Sequence, residues 1–148
     1  MVSLSDFASK VRAKNRITFG DMQRLQRSVL PDGIGSREDA ELLIDLDREI
    51  ARTERAWERW LVATIVNFVV WAERPTGVVD ESTAIWLATA LNGPQSTRPT
   101  KTARLIAREI AEEAHGFENE ALATLAAALT MRKPKQSALD LETAATAA

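Results

Sequence analysis

Few residues in this chain are of a type that could carry a reaction. Cysteine and tyrosine are absent and histidine occurs once, at His115, so thiolate metal sites, cysteine nucleophiles and histidine-paired bases cannot be assembled. His115 stands at the predicted end of a helix, where an imidazole complements the negative terminus. Glu109 with Glu112 or Glu113 could pair as acid and base, but acidic runs at this spacing form a solvated helix face. The six glycines are scattered singly at turns, and none opens a glycine-lysine-serine/threonine phosphate loop. These absences predict a protein with no catalytic residue and no cofactor.

One loop invites a metal. Calcium in a helix-loop-helix hand takes about six to eight oxygen ligands from alternate loop positions around a fixed glycine. With Gly33 set at that glycine, Ser28 and Leu30 fall at the first and third ligand positions and Asp39 at the last. Leucine has no oxygen to offer. The expectation is that Asp32, Glu38 and Asp39 cap and solubilise the loop and that no metal site forms.

The tryptophans say more. Trp60, Thr64, Asn67 and Trp71 are spaced so that, at about 3.6 residues per turn, they share one stripe of a helix. Leu61, Ile65 and Phe68 fill one remaining side, and Val62, Val66 and Val69 another. Two placements suit such a stripe. Inside a bundle, Thr64 and Asn67 would bond to nearby backbone and the indole N–H groups would reach the edge of the core. At a surface, large amphipathic rings with a few polar groups are what the centre of a protein interface uses. The expectation carried forward is the second: Trp60, Thr64, Asn67 and Trp71 bind a protein partner or a second copy of the chain.

The elements that must position these residues are helical throughout. Ser3 with Asp6, Thr18 with Asp21 and Ser36 with Asp39 each open a helix in the manner of a capping pair. The first carries Leu4, Phe7, Ala8 and Val11 on one face, the second Phe19, Met22, Leu25 and Val29, and the third Ala40, Leu43, Leu46, Ile50 and Ala51. A fourth helix runs from about Thr53 to Ala72. Pro75 and Gly77 break the chain before Asp80 caps a fifth, and Asn92, Gly93, Pro94, Ser96 and Pro99 break it before a sixth, about Thr100 to Ala114. A seventh spans Glu118 to Met131. From 132 to 148 the chain reads as a flexible tail. Alternation of four or more residues is nowhere convincing, so the fold class predicted is all-α: one bundle of six or seven helices over residues 1–131.

The stretch 32–43 aligns with 76–87, 44 residues later, glycine, alanine and leucine being identical. That echo suggests a duplicated helix-loop-helix unit. The phrase Asp32, Gly33, Ile34, Gly35, Ser36, Arg37, Glu38, Asp39, Ala40, Glu41, Leu42, Leu43 also resembles the signature of TerB-like, tellurite-resistance-associated helical proteins, over about residues 17–114. The resemblance implies paired helices, a stress-response role and weak divalent-ion contact by the acids beside the loop. Gly35 and Asp39 depart from its usual pattern, which bears on the metal more than on the fold.

Charge and hydropathy narrow the setting. The net charge is −2, yet residues 1–30 carry six basic and two acidic groups while residues 31–58 carry four and nine. The segments are expected to neutralise one another, with Lys10, Arg12, Lys14, Arg16, Arg24 and Arg27 set against the acidic third helix. Nucleic-acid binding through the basic segment is the lesser reading, because Glu38, Asp39, Glu41, Asp45 and Asp47 would repel phosphates. Met1 to Arg16 holds no apolar core of signal-peptide length, and the stretch Trp60 to Ala72 is short of the ~20 residues that span a bilayer. No membrane partner and a cytoplasmic location are expected. The function predicted is a non-catalytic helical interaction or assembly module, the TerB-like role being the alternative.

Overall fold

Helices in this protein start where a short polar side chain answers a backbone donor. The computed structural model describes residues 3–50, 52–72, 76–93 and 99–130; the predicted tail and Pro75, Pro94 and Ser96 lie outside them. Helix α1, Leu4–Lys14, opens on a reciprocal Ser3–Asp6 capping box, and α2, Phe19–Arg24, on the same device from Thr18 and Asp21. Ser36 caps α3, Arg37–Glu49; Asp80 caps α5, Glu81–Asn92; and Thr100 caps α6, Lys101–Glu113. Helix α4 is Arg55–Asn67 and α7 is Ala121–Thr130.

Two of these helices do not end but widen. Helix α2 continues as a π turn over Leu25–Val29, and α4 as another over Phe68–Ala72. The only strands among the described residues are two residues long: β1, Arg16–Ile17, pairs in parallel with β2, Arg52–Thr53, and β3, Val78–Val79, with β4, Gly116–Phe117. They are too short for alternation to announce them. The fold is all-α, as the periodicity predicts.

A duplication runs through it, in a different register from the 44-residue echo. The order strand, helix, helix, strand, helix occurs twice, as β1-α2-α3-β2-α4 and β3-α5-α6-β4-α7. The caps Thr18 and Asp80 are 62 residues apart; Ser36 and Thr100, Ile50 and Ala114, and Glu54 and Glu118 are 64 apart. Even the first buried positions of the last helices correspond, Trp57 with Ala121 and Leu61 with Leu125. The Gly77 loop therefore precedes a strand, whereas the Gly33 loop leads to α3 directly. Their likeness in sequence is that of two loops meeting the same helix-start requirement.

One core joins both units, with Leu43, Leu46, Trp57, Leu61, Leu87 and Ile110 wholly enclosed. Helix α7 lies along α5, and α4 lies along α6. Among the described residues no helix is long and apolar enough to cross a membrane.

Among the described residues a single charge is sunk in this interior. Asp21 has no exposed surface, and its carboxylate accepts from the Thr18 N–H and hydroxyl while pairing with Lys14 at 2.7 Å and with Arg24. It thereby ties the end of α1 to the start of α2. Burial pushes its pKa up, but Lys14 and Thr18 outweigh that, and the carboxyl titrates below its ordinary 3.8. Because the folded value is the lower one, this contribution is complete above the unfolded value and is lost as pH falls through the folded one. Asp21→Asn is expected to cost about 2 kcal/mol at neutral pH, the pairing cations being partly solvated, and to flatten the acid limb of stability below pH 3.8. Urea denaturation across that range measures both.

Candidate interaction groove

The fourth helix presents its residues in a way the regular 3.6-residue count does not foresee. Trp60 is half-buried and packs on the enclosed Trp57, ring centroids 5.9 Å apart at 35°. Thr64 is half-buried too, Asn67 is exposed, and Trp71 keeps 36% of its surface in solvent. Only Asn67 and Trp71 of the predicted stripe share a depression; Trp60 and Thr64 stand outside it. The π turn is the cause. It takes one residue more per turn, so past Phe68 the face advances by one position. Trp71 then continues the row Arg59, Val62, Ala63, Val66, where an unbroken α-helix would place residue 70.

That row forms one wall of a groove of about 490 Å³, and the other wall is the i, i+4, i+8 row Leu105, Glu109, Glu113 of α6. Val62, Val66, Leu105 and Trp71 give it an apolar floor, while Glu58, Arg59, Asn67, Glu109 and Glu113 make a polar rim. The α6 row was legible as a lone leucine in line with two acids, but only the pairing of α4 with α6 makes it a wall.

Trp71 is held in place from three sides. Its Nε1–H donates to Glu113 Oε2 at 3.1 Å, and the His115 ring meets it edge-on, centroids 5.2 Å apart at 83°. Beneath lies Gly77, whose N–H donates to the Val70 carbonyl at 2.5 Å and whose carbonyl accepts from the His115 N–H at 2.6 Å. Gly77 has φ +79°, and a Cβ there would come within 3.3 Å of His115 Nδ1 and 3.4 Å of Trp71 Cζ3. Here the glycine is needed twice, for its backbone angle and for the close approach of two rings. His115 thus serves Trp71 and the β3–β4 junction more than the helix end.

The other predicted sites resolve into structural roles. Asp39 Oδ2 accepts from the Gly35 N–H at 3.3 Å, and the Asp39 N–H donates to Ser36 Oγ at 3.2 Å, which is helix capping; Asp32 and Glu38 are exposed. Among the described residues no three His, Asp or Glu side chains converge as a metal would require. Of the basic segment, Arg12 reaches the acidic helix, pairing with Glu49 at 2.7 Å, but Lys14 and Arg24 turn to Asp21. The acids of α3 are answered mainly by other helices. Trp86 donates to Glu41, Trp57 and Thr100 donate to Asp47, and Arg48 pairs with Asp45 along α3 itself.

No family model, curated protein or solved structure matches this chain. What the groove can do rests on its own chemistry. It offers an open apolar floor, a tryptophan anchored by its N–H and carboxylates on its rim. Gly77→Ala is expected to cost about 1–3 kcal/mol in thermal melting, through its positive φ, and to displace the Trp71 ring, seen as a changed tryptophan emission spectrum.

Proposed function

We propose that this protein is a non-catalytic helical interaction module that docks an amphipathic helix of a partner protein in the α4–α6 groove. The observation that carries this reading is Trp71. A ring of that size is normally drawn into the core, yet here it stays 36% exposed while Glu113, His115 and Gly77 fix it beside Val62, Val66 and Leu105. Fixing a large ring at a surface lowers the ordering cost of binding, which is how interface anchors work. Two packed helices also leave a channel of the width into which a third helix lays its apolar stripe.

The charge arrangement supports a protein partner over nucleic acid. Arg12, Lys14 and Arg24 are engaged with Glu49 and Asp21, and three of the four ionisable groups lining the groove are carboxylates. A cysteine-free chain suits a reducing, cytoplasmic setting.

Trp71→Ala separates this reading from a purely structural one. The variant is expected to keep its helicity and cooperative melting while losing about 2 kcal/mol or more of partner binding. Circular dichroism reads the first, and titration with helical peptides together with light scattering reads the second. Had the ring been core, its truncation would remove about 3–5 kcal/mol from folding instead. Unfolding of the variant, or binding and association that ignore the substitution, would withdraw the proposal; a wild-type dimer that the variant dissociates would make the partner a second copy.

A further inference from the structure

A second tryptophan, Trp86, has a fuller set of partners than Trp71 has among the described residues. Trp86, on α5, donates its Nε1–H to Glu41 Oε2 of α3 at 2.6 Å, and the Arg37 guanidinium stands over its ring, Cζ 4.8 Å from the centroid. The carboxylate draws the indole N–H and leaves the ring face richer in negative charge, and the cation takes that face. Acid, indole and guanidinium form a three-part unit across two helices.

Trp71 has the first two parts. Its Nε1–H donates to Glu113 of α6, again across a helix pair, but among the described residues no lysine or arginine stands over the ring. The neighbouring ring is His115, set at a right angle. The surrounding field favours a cation as well. Glu109 and Glu113 line this end of the groove, while Glu58 and Arg59 both lie about three turns or more away along α4. Helix α6 and the Phe68–Ala72 turn both finish at this corner, so the negative ends of their backbone dipoles point the same way.

We propose that the Trp71–Glu113 corner is a cation subsite, which receives the guanidinium of an arginine carried by the docking helix. The proposal rests on the groove reading above and specifies it. Arginine is preferred over lysine because a planar guanidinium can lie on the indole and still donate to Glu109 or Glu113, as a compact ammonium cannot. The subsite fixes the register of the docked helix: its apolar stripe covers Val62, Val66 and Leu105, and its arginine caps the Trp71 end.

The test is selection from a displayed library of amphipathic helical peptides with a fixed apolar stripe and randomised flanking positions. Enriched peptides are then titrated by fluorescence anisotropy against the wild type, Trp71→Ala, Glu109→Gln and Glu113→Gln. Peptides that need Trp71 are expected to carry arginine at one register position. Replacing that arginine by glutamine should weaken binding about tenfold, and the loss should shrink in Glu109→Gln or Glu113→Gln, whose folds circular dichroism checks. Trp71-dependent binders with no basic preference, or an arginine whose loss is the same in wild type, Glu109→Gln and Glu113→Gln, would overturn the cation subsite and leave the groove standing. If no selected peptide depends on Trp71, the groove reading itself falls, and the subsite with it.

Discussion

Asp47 is the point on which three helices turn. Trp57 is wholly enclosed, and an enclosed indole must place its N–H on an acceptor or pay the desolvation of that group. Asp47 Oδ1 accepts it at 3.0 Å, while Oδ2 accepts from the hydroxyl of Thr100 at 2.7 Å. Thr100 is the cap of α6, its Oγ receiving the Ala103 N–H. One carboxylate on α3 therefore fixes the largest enclosed side chain of α4 and the first turn of α6 together. The rows that face each other across the groove, Val62–Val66 and Leu105–Glu109–Glu113, are set at their upper end by this bond.

The duplication gives that arrangement its context. Both units contain the same succession of strand and helices, yet they use their last helix differently. In the first, Trp57 and Trp60 fill the space, and the helix goes on to Trp71; in the second, Ala121 holds the position of Trp57, and an alanine-rich helix lies close along α5. The small side chains of α7 allow its close approach to α5. The two bridges differ in the same sense, Arg16 facing Arg52 in one and Val78 facing Gly116 in the other.

Much of the fold was legible because its information is local. Ser3, Thr18, Ser36, Asp80 and Thr100 each satisfy a donor three residues ahead, a requirement written in adjacent letters, and every one of these helix starts stands where they put it. The groove was half legible. Trp71 and Asn67 could be singled out by type, but their partners on α6 depend on which helices pack together, and that is decided by distant residues such as Asp47. Trp71 parts from Trp60 and Thr64 because periodicity assumes a constant rotation per residue, and nothing in Phe68 to Ala72 marks the change to a wider turn. Asp21 was legible as the acid of a capping pair with Thr18, which it is, but not its burial, which only the convergence of Lys14 and Arg24 makes tolerable.

The wider turn at Phe68–Ala72 carries a consequence for how this chain can change. A helix that holds one surplus residue is a counter: remove any one position between Phe68 and Val70 and the segment can close into ordinary α-helix without disturbing the caps on either side. Such a deletion would leave the indole facing α6, because Trp71 would then hold the place of residue 70 in an unbroken helix. Winding the same residues as ordinary α-helix with none removed would instead swing it by about 100°, away from α6. The accessibility of the groove is thus set by how this one turn winds as much as by the identities of its residues. Lineages of this chain that lose a single codon there would share a fold and keep the indole on the same face.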